Sequence, residues 1–129
     1  MAKTFMQMVK EAREEVGVIS PADAKAQIDQ DPNTRVIDVR QADDRANGAI
    51  PGALNIPLGL LAIKADTELP VRDERLEDRD QPIIIACGPG GQGALGGKVL
   101  HDMGFTNVKI LDGGTNAWEQ AGLPMEKAD

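Results

Sequence analysis

The sequence is poor in cysteine, histidine and aromatic residues, and each shortage excludes a class of protein. A single cysteine, Cys87, cannot form an internal disulfide, and with the single histidine, His101, it cannot supply the ligands of a structural zinc site. Two phenylalanines, one tryptophan and no tyrosine provide no platform on which nucleic-acid bases could stack. We therefore expect no structural metal and no other cofactor.

The charge balance and the hydropathy pattern exclude two further kinds of partner. The chain has 14 basic and 21 acidic residues, and its net charge of −7 argues against binding to a phosphate backbone. No apolar run approaches the roughly 20 residues that a membrane span requires. The N-terminus also lacks the apolar core of an export signal. The sequence therefore predicts a cytoplasmic protein that binds neither nucleic acid nor a membrane.

Apolar patterns along the 129 residues predict one α/β domain. Residues 4–16 carry apolar side chains at three- and four-residue spacing, so we expect residues 1–19 to provide an amphipathic N-terminal helix packed on the domain. Short β-branched or apolar runs that predict strands lie at 35–39, 53–56, 83–86 and 108–111. Because predicted helices alternate with these strands, we expect a central parallel β-sheet of about four to five strands with helices on both faces.

Helix boundaries are predicted from capping and glycine signals. Ser20 followed by Pro21 starts the helix before the first strand. A helix is expected to begin near Gly93, and a terminal helix covers residues 116–120. The charge-rich stretch 65–81 is predicted to be a surface excursion whose charges are solvated. Arg45 is also expected to be solvated, and the alternative is that it faces the mouth of a binding pocket and contributes its charge there.

The junction between the strand at 83–86 and the helix after it is the candidate site. Cys87 follows the strand directly, and in open α/β sheets ligands bind beyond the carboxyl ends of the strands. Gly88, Gly90 and Gly91 have no Cβ, so their backbone N–H groups can turn towards one point, to which the helix adds its positive end. Such a loop favours an anion such as a thiolate. The alternative is a buried cysteine that merely ends a core strand.

Several separate motifs make the sequence resemble the rhodanese family over residues 16–126. They are DVR at 38–40, GAIPGALNIP at 48–57, CGPGGQG at 87–93, here called the Cys87 loop, KVLHDMGFTNVKILDGGTNAW at 98–118 and AGLP at 121–124. The resemblance implies a rhodanese-like fold and a sulfurtransferase in which Cys87 is the nucleophile. In that family the cysteine takes sulfane sulfur from thiosulfate, a persulfide or a polysulfide, becomes a persulfide, and passes the sulfur to cyanide or a thiol. A protein could also be the acceptor.

The resemblance further implies which residues surround the sulfur. The substrate would be bound by loop residues whose backbone N–H groups stabilise the persulfide: Gly88, Gly90, Gly91, Gln92 and Gly93. Asp38 and Arg40 match a strand-end pair that supports the loop. Gln92 stands where the family's loop commonly has arginine, and Ala49 where it has histidine. Because a guanidinium grips a sulfonate through two hydrogen bonds, we expect activity on thiosulfate to be weak.

Two other functions remain open on sequence grounds. One is a rhodanese-homology module without turnover, which binds or regulates a partner through residues 65–81 or the N-terminal helix. Gln92 and Ala49 favour it. The other is a phosphatase on the same fold, but that chemistry requires arginine at the position of Gly93.

Overall fold

In the computed structural model, which describes residues 2–46 and 48–127, five parallel strands form one sheet in the order β1-β5-β4-β2-β3. The strands are β1 (Val18–Ile19), β2 (Arg35–Asp38), β3 (Leu54–Asn55), β4 (Ile83–Ala86) and β5 (Val108–Leu111). The predicted α/β class and parallel sheet are confirmed. Strand β1 was not predicted, because two residues show no periodicity and only pairing with β5 defines them as a strand.

Helices cover both faces of the sheet, as predicted. They are α1 (Phe5–Val16), α2 (Pro21–Gln30), α3 (Leu58–Lys64), α4 (Gly91–Asp102) and α5 (Gly114–Gln120). One apolar core contains residues of α1, α3 and α4, and the core on the opposite face contains residues of α2 and α5. Ser20 caps α2 as predicted, since its hydroxyl accepts a hydrogen bond from the backbone N–H of Asp23.

Two helices begin earlier than predicted. Helix α4 begins at Gly91 rather than near Gly93, and α5 begins at Gly114 rather than at residue 116. Each follows a glycine in the left-handed region, with φ of 113° at Gly90 and 72° at Gly113. Glycine has a low intrinsic helix propensity, so the sequence pattern conceals both starts.

Helix α1 packs on the domain through one face. Val9, Ala12 and Val16 are buried in the core. At the edge of the contact with α4, the Nζ of Lys98 lies 3.2 Å from the carboxylate of Glu15. The chain then turns at Gly17 into β1, so the predicted N-terminal segment holds both a helix and an edge strand. Met1, which the prediction included, lies outside the described residues.

Strand β4 is the centre of the sheet and positions the candidate site. Its residues are all buried, and it pairs with β2 on one side and β5 on the other. Helix α4 lies close against this strand: a Cβ at Gly96 would lie 2.6 Å from Cδ1 of Ile85, and one at Gly97 would lie 2.8 Å from Cγ1 of Ile110. The glycine pair therefore permits close packing of α4 on the sheet.

The charge-rich stretch 65–81 contains a single 3₁₀ turn, Glu74–Leu76, and is anchored at two points. The Leu76 side chain is buried in the core. The guanidinium of Arg79 lies 4.2 Å from the ring centroid of Phe105 and donates a hydrogen bond to the carbonyl of Ala65. These contacts hold the excursion against the domain.

The same stretch provides a prediction about acid stability. Hydrogen bonds from the Arg75 side chain hold the pKa of the Asp73 carboxyl below its ordinary value of 3.8, although partial burial opposes the shift. The ionised form is therefore favoured in the folded state, and this stabilisation is present above about pH 4 and lost as the pH falls. We expect Asp73→Asn to cost less than about 1 kcal/mol at pH 7 and a smaller amount at pH 3. Urea unfolding at both pH values tests this, and an equal cost at both would contradict it.

Candidate active site

Cys87 lies at the carboxyl end of β4, where its sulfur meets the backbone of the next turn. The Sγ accepts a hydrogen bond from the backbone N–H of Gly90 at 2.9 Å. Cys87 is only 1% exposed. The positive φ of Gly90 allows the chain to fold back so that this N–H points at the sulfur. A polar N–H aimed at a buried sulfur stabilises negative charge there.

Three of the other predicted amide donors, Gly91, Gln92 and Gly93, lie in the first turn of α4, whereas Gly88 directly follows Cys87 and lies outside the helix. Ala94 is the first residue whose N–H donates back along the helix, to the carbonyl of Gly90 at 3.1 Å. The N–H groups of Gly91, Gln92 and Gly93 precede it, and no earlier helical carbonyl can accept from them. These groups and the positive end of the helix dipole can therefore bind an anion beside Cys87. Their part in substrate binding remains a prediction.

Backbone N–H groups at the start of α5 donate hydrogen bonds to carbonyl groups of the Cys87 loop. The backbone N–H of Thr115 donates to the carbonyl of Cys87 at 2.7 Å, and that of Asn116 donates to the carbonyl of Gly88 at 2.9 Å. A Cβ on Gly114 would lie 2.5 Å from both of these carbonyl oxygens. The predicted helix start at residue 116 places Gly113 and Gly114 before the helix, so the sequence analysis did not predict this contact. The signal available was a glycine pair directly before a helix.

Asp38 is buried at the end of β2 and forms an ion pair with the partly buried Arg40. The Nη2 of Arg40 lies 2.9 Å from Oδ2 of Asp38 and also donates to the carbonyl of Gly48. The Nε of Arg45 lies 3.3 Å from the same carboxylate oxygen without the alignment of a hydrogen bond. The prediction that Arg45 is solvated was wrong, because its side chain is 15% exposed and balances the charge of Asp38. This cluster fixes the loop that faces Gly88.

A cavity of about 740 Å³ opens beside the Cys87 loop. Its walls come from α1, the loop after β2, residues 88–92 and the two residues that follow β5. Phe5, Met6 and Val9 of α1 give it an apolar side. Arg13 of α1 also lines it and forms an ion pair with Asp112 at 3.0 Å. The volume is within the range of sites that bind small organic ligands.

This arrangement matches a known family. The family model of the rhodanese-like domain matches residues 20–121. The chain belongs to the rhodanese-like family. Ala49, at the position of the family's histidine, instead joins a short antiparallel bridge, in which it exchanges two backbone hydrogen bonds with Glu126.

Relatives of this rhodanese-like domain include proteins named for sulfur transfer. A sulfurtransferase of Allochromatium vinosum is 31% identical over 90 residues, which are 70% of this chain and 76% of that protein. The thiosulfate sulfurtransferase GlpE of Actinobacillus succinogenes is 30% identical over 99 residues, which are 77% of this chain and 81% of that protein. These names support a transferase of the sulfurtransferase class.

A solved structure extends the likeness to the whole fold. RPA3614 of Rhodopseudomonas palustris, a protein of unknown function described as a possible tyrosine phosphatase, superposes with a TM-score of 0.91 at 27% identity. The match covers 98% of this chain and 96% of that chain. The structural match therefore extends beyond the residues that the family model matches. It includes α1, which precedes the range of that model.

Residues 2–46 and 48–127 contain neither a candidate metal site nor a candidate membrane-spanning helix. No three His, Cys, Asp or Glu side chains there lie close enough together to hold a metal ion. In the same part of the chain, no helix combines the length and the apolar character needed to cross a membrane.

Proposed function

We propose that this rhodanese-like domain is a sulfurtransferase that forms a persulfide on Cys87 and passes its outer sulfur to a thiol or to cyanide. The observation that carries the proposal is the hydrogen bond from the Gly90 N–H to Sγ of Cys87, beside the N-terminus of α4. A nucleophilic thiolate and a persulfide anion would both be stabilised by this arrangement. Thiosulfate, a persulfide and a polysulfide are the candidate donors.

The proposed reaction has two displacements. The Cys87 thiolate attacks the outer sulfur of thiosulfate, an S–S bond forms, and sulfite leaves with the electron pair of the broken bond. The thiolate or cyanide acceptor then attacks the outer sulfur of the persulfide, and the electron pair of that S–S bond returns to Sγ of Cys87. Preorganised N–H groups of Gly90, Gly91 and Gln92 would stabilise the charge on the outer sulfur.

Asp38 and Arg40 would act by positioning the loop rather than by touching the sulfur. The Arg40 guanidinium is engaged by the Asp38 carboxylate and by the carbonyls of Gly48 and Asp44. It is therefore held in place and already paired, which makes it a poor substitute for a loop arginine that grips the donor's sulfonate. Weak activity on thiosulfate follows from this pairing and from Gln92.

Gln92→Arg is expected to raise kcat/KM for thiosulfate by about 10- to 100-fold, because a charged two-pronged donor replaces a neutral one. Gln92 is exposed in the first turn of α4 and lines the cavity, so the longer side chain has room. The measurement is steady-state sulfur transfer with thiosulfate and, separately, with an uncharged persulfide donor.

Gln120→Arg is the matched control, since it adds the same charge at an exposed residue of α5 outside the cavity lining. A gain in kcat/KM of Gln92→Arg for thiosulfate alone supports hydrogen bonding of the arginine to the sulfonate of the donor. An equal gain for both donors, or a gain in Gln120→Arg, would contradict it.

Intact-mass analysis after treatment with thiosulfate or polysulfide tests the proposed function directly. One added sulfur that cyanide removes supports it. No added sulfur from any donor would favour the module without turnover. Phosphate-ester hydrolysis lacks support because Gly93 offers no guanidinium, and a Cβ there would lie 3.3 Å from the backbone nitrogen of Cys87.

A further inference from the structure

Helix α1 adds to the candidate site a wall that the family model does not include. The match begins at residue 20, whereas α1 covers Phe5–Val16. Phe5, Met6 and Val9, here called the α1 wall, line the cavity beside the Cys87 loop. Phe5 and Met6 remain 50% and 65% exposed. The helix therefore presents apolar surface to the space that a substrate would occupy.

The α1 wall and the Cys87 loop fit each other closely. An ideal Cβ on Gly91 would lie 2.9 Å from Cζ of Phe5 and 3.0 Å from its Cε2. The ring thus lies against the first residue of α4, at a place where a side chain on the loop would collide with it. This contact brings apolar carbon next to the N–H groups expected to hold the sulfur anion.

The charges that line the cavity offset one another. Arg13 is paired with Asp112 at 3.0 Å, and Arg40 is paired with Asp38 at 2.9 Å. Asp44 adds a further carboxylate to the lining. A compact dianion gains little from arginines that carboxylates already hold, whereas an apolar group gains from contact with the α1 wall.

We propose that the α1 wall selects a low-molecular-weight thiol with an alkyl or aryl body as the sulfur acceptor. This inference rests on the proposed persulfide of Cys87. The acceptor thiolate attacks the outer sulfur, the S–S bond to Cys87 breaks, and the products are an organic persulfide and the Cys87 thiolate. The cavity of about 740 Å³ has room for such a body.

The experiment uses the full chain and a homologous series of acceptors. Cys87 is loaded with sulfur by inorganic polysulfide, excess donor is removed, and single-turnover discharge is followed with ethanethiol, butanethiol and hexanethiol. The reacting thiol is nearly the same in all three, so differences in rate report contact with the carbon chain. Burial of each methylene is expected to raise the second-order discharge rate by about 2- to 4-fold.

Met6→Ala and Met8→Ala form a matched pair for the test. Both are exposed methionines of α1, but only Met6 lines the cavity. We expect Met6→Ala to weaken the dependence on chain length and Met8→Ala to retain it. Because Phe5→Ala could shift the helix, Phe5→Leu provides a second variant that keeps an apolar side chain, and it should retain more of the dependence than Phe5→Ala.

The outcomes separate this inference from the proposed function. Absence of a persulfide after polysulfide treatment overturns the proposed function and this inference with it. A persulfide that all three thiols discharge at the same rate overturns only the selection of an apolar acceptor. The selection of an apolar acceptor is also overturned if Met6→Ala and Phe5→Ala both keep the wild-type dependence of the discharge rate on chain length.

Discussion

Replacing Cys87 by serine is expected to abolish sulfur transfer while leaving the fold intact. The serine hydroxyl can still accept the hydrogen bond that the Gly90 N–H donates to Sγ, and it is close in size to the thiol. It is a far weaker nucleophile towards sulfur and cannot carry a persulfide. We expect kcat/KM to fall by at least about 1,000-fold, which corresponds to roughly 4 kcal/mol of transition-state stabilisation.

The composition makes this test unusually clean. Cys87 is the only cysteine, so no second thiol can carry the transferred sulfur. Intact mass and cyanide-released sulfur are measured for both proteins after the same donor treatment, and thermal unfolding confirms that the variant folds. A serine variant that still binds cyanide-labile sulfur would show that the site is assigned to the wrong residue.

Gly114→Ala is expected to destabilise the fold by about 2–5 kcal/mol and to disrupt the Cys87 loop. Gly114 has φ of 63°, which costs a residue with a Cβ about 1–2 kcal/mol. The new Cβ would also lie 2.5 Å from the carbonyl oxygens of Cys87 and Gly88, and moving this backbone adds an overpacking cost of about 1–3 kcal/mol. Thermal unfolding should show a fall in Tm of roughly 10–20 °C.

Gly122→Ala separates the two causes. Gly122 has a similar φ of 74°, but a Cβ there would have no heavy atom within 4 Å. It should therefore lose only the backbone cost of about 1–2 kcal/mol. Equal losses of stability in the two variants would contradict a clash at the Cys87 loop. Persulfide formation measured at a temperature where both variants are folded should be impaired in Gly114→Ala alone.

The sequence was most informative where the signal is local. The unbroken apolar run of β4, the cap at Ser20 and the helical spacing of α1 depend on neighbouring residues, and the structure bears out each element to within a few residues. The position of Cys87 after a central strand follows from the same local pattern. The helix starts at Gly91 and Gly114 were missed because the low helix propensity of glycine argues against a helix at those positions.

The sequence by itself therefore determined the α/β class, the places of strands β2 to β5 along the chain and the position of the cysteine. Tertiary structure decided that the Gly90 N–H meets Sγ of Cys87, that Arg45 shares the carboxylate of Asp38, and that α5 holds the Cys87 loop. It also decided that α1 forms a wall of the cavity. Periodicity and capping involve residues a few positions apart. These contacts instead join separate segments of the chain, which become neighbours only after the strands have paired and the helices have packed on the sheet.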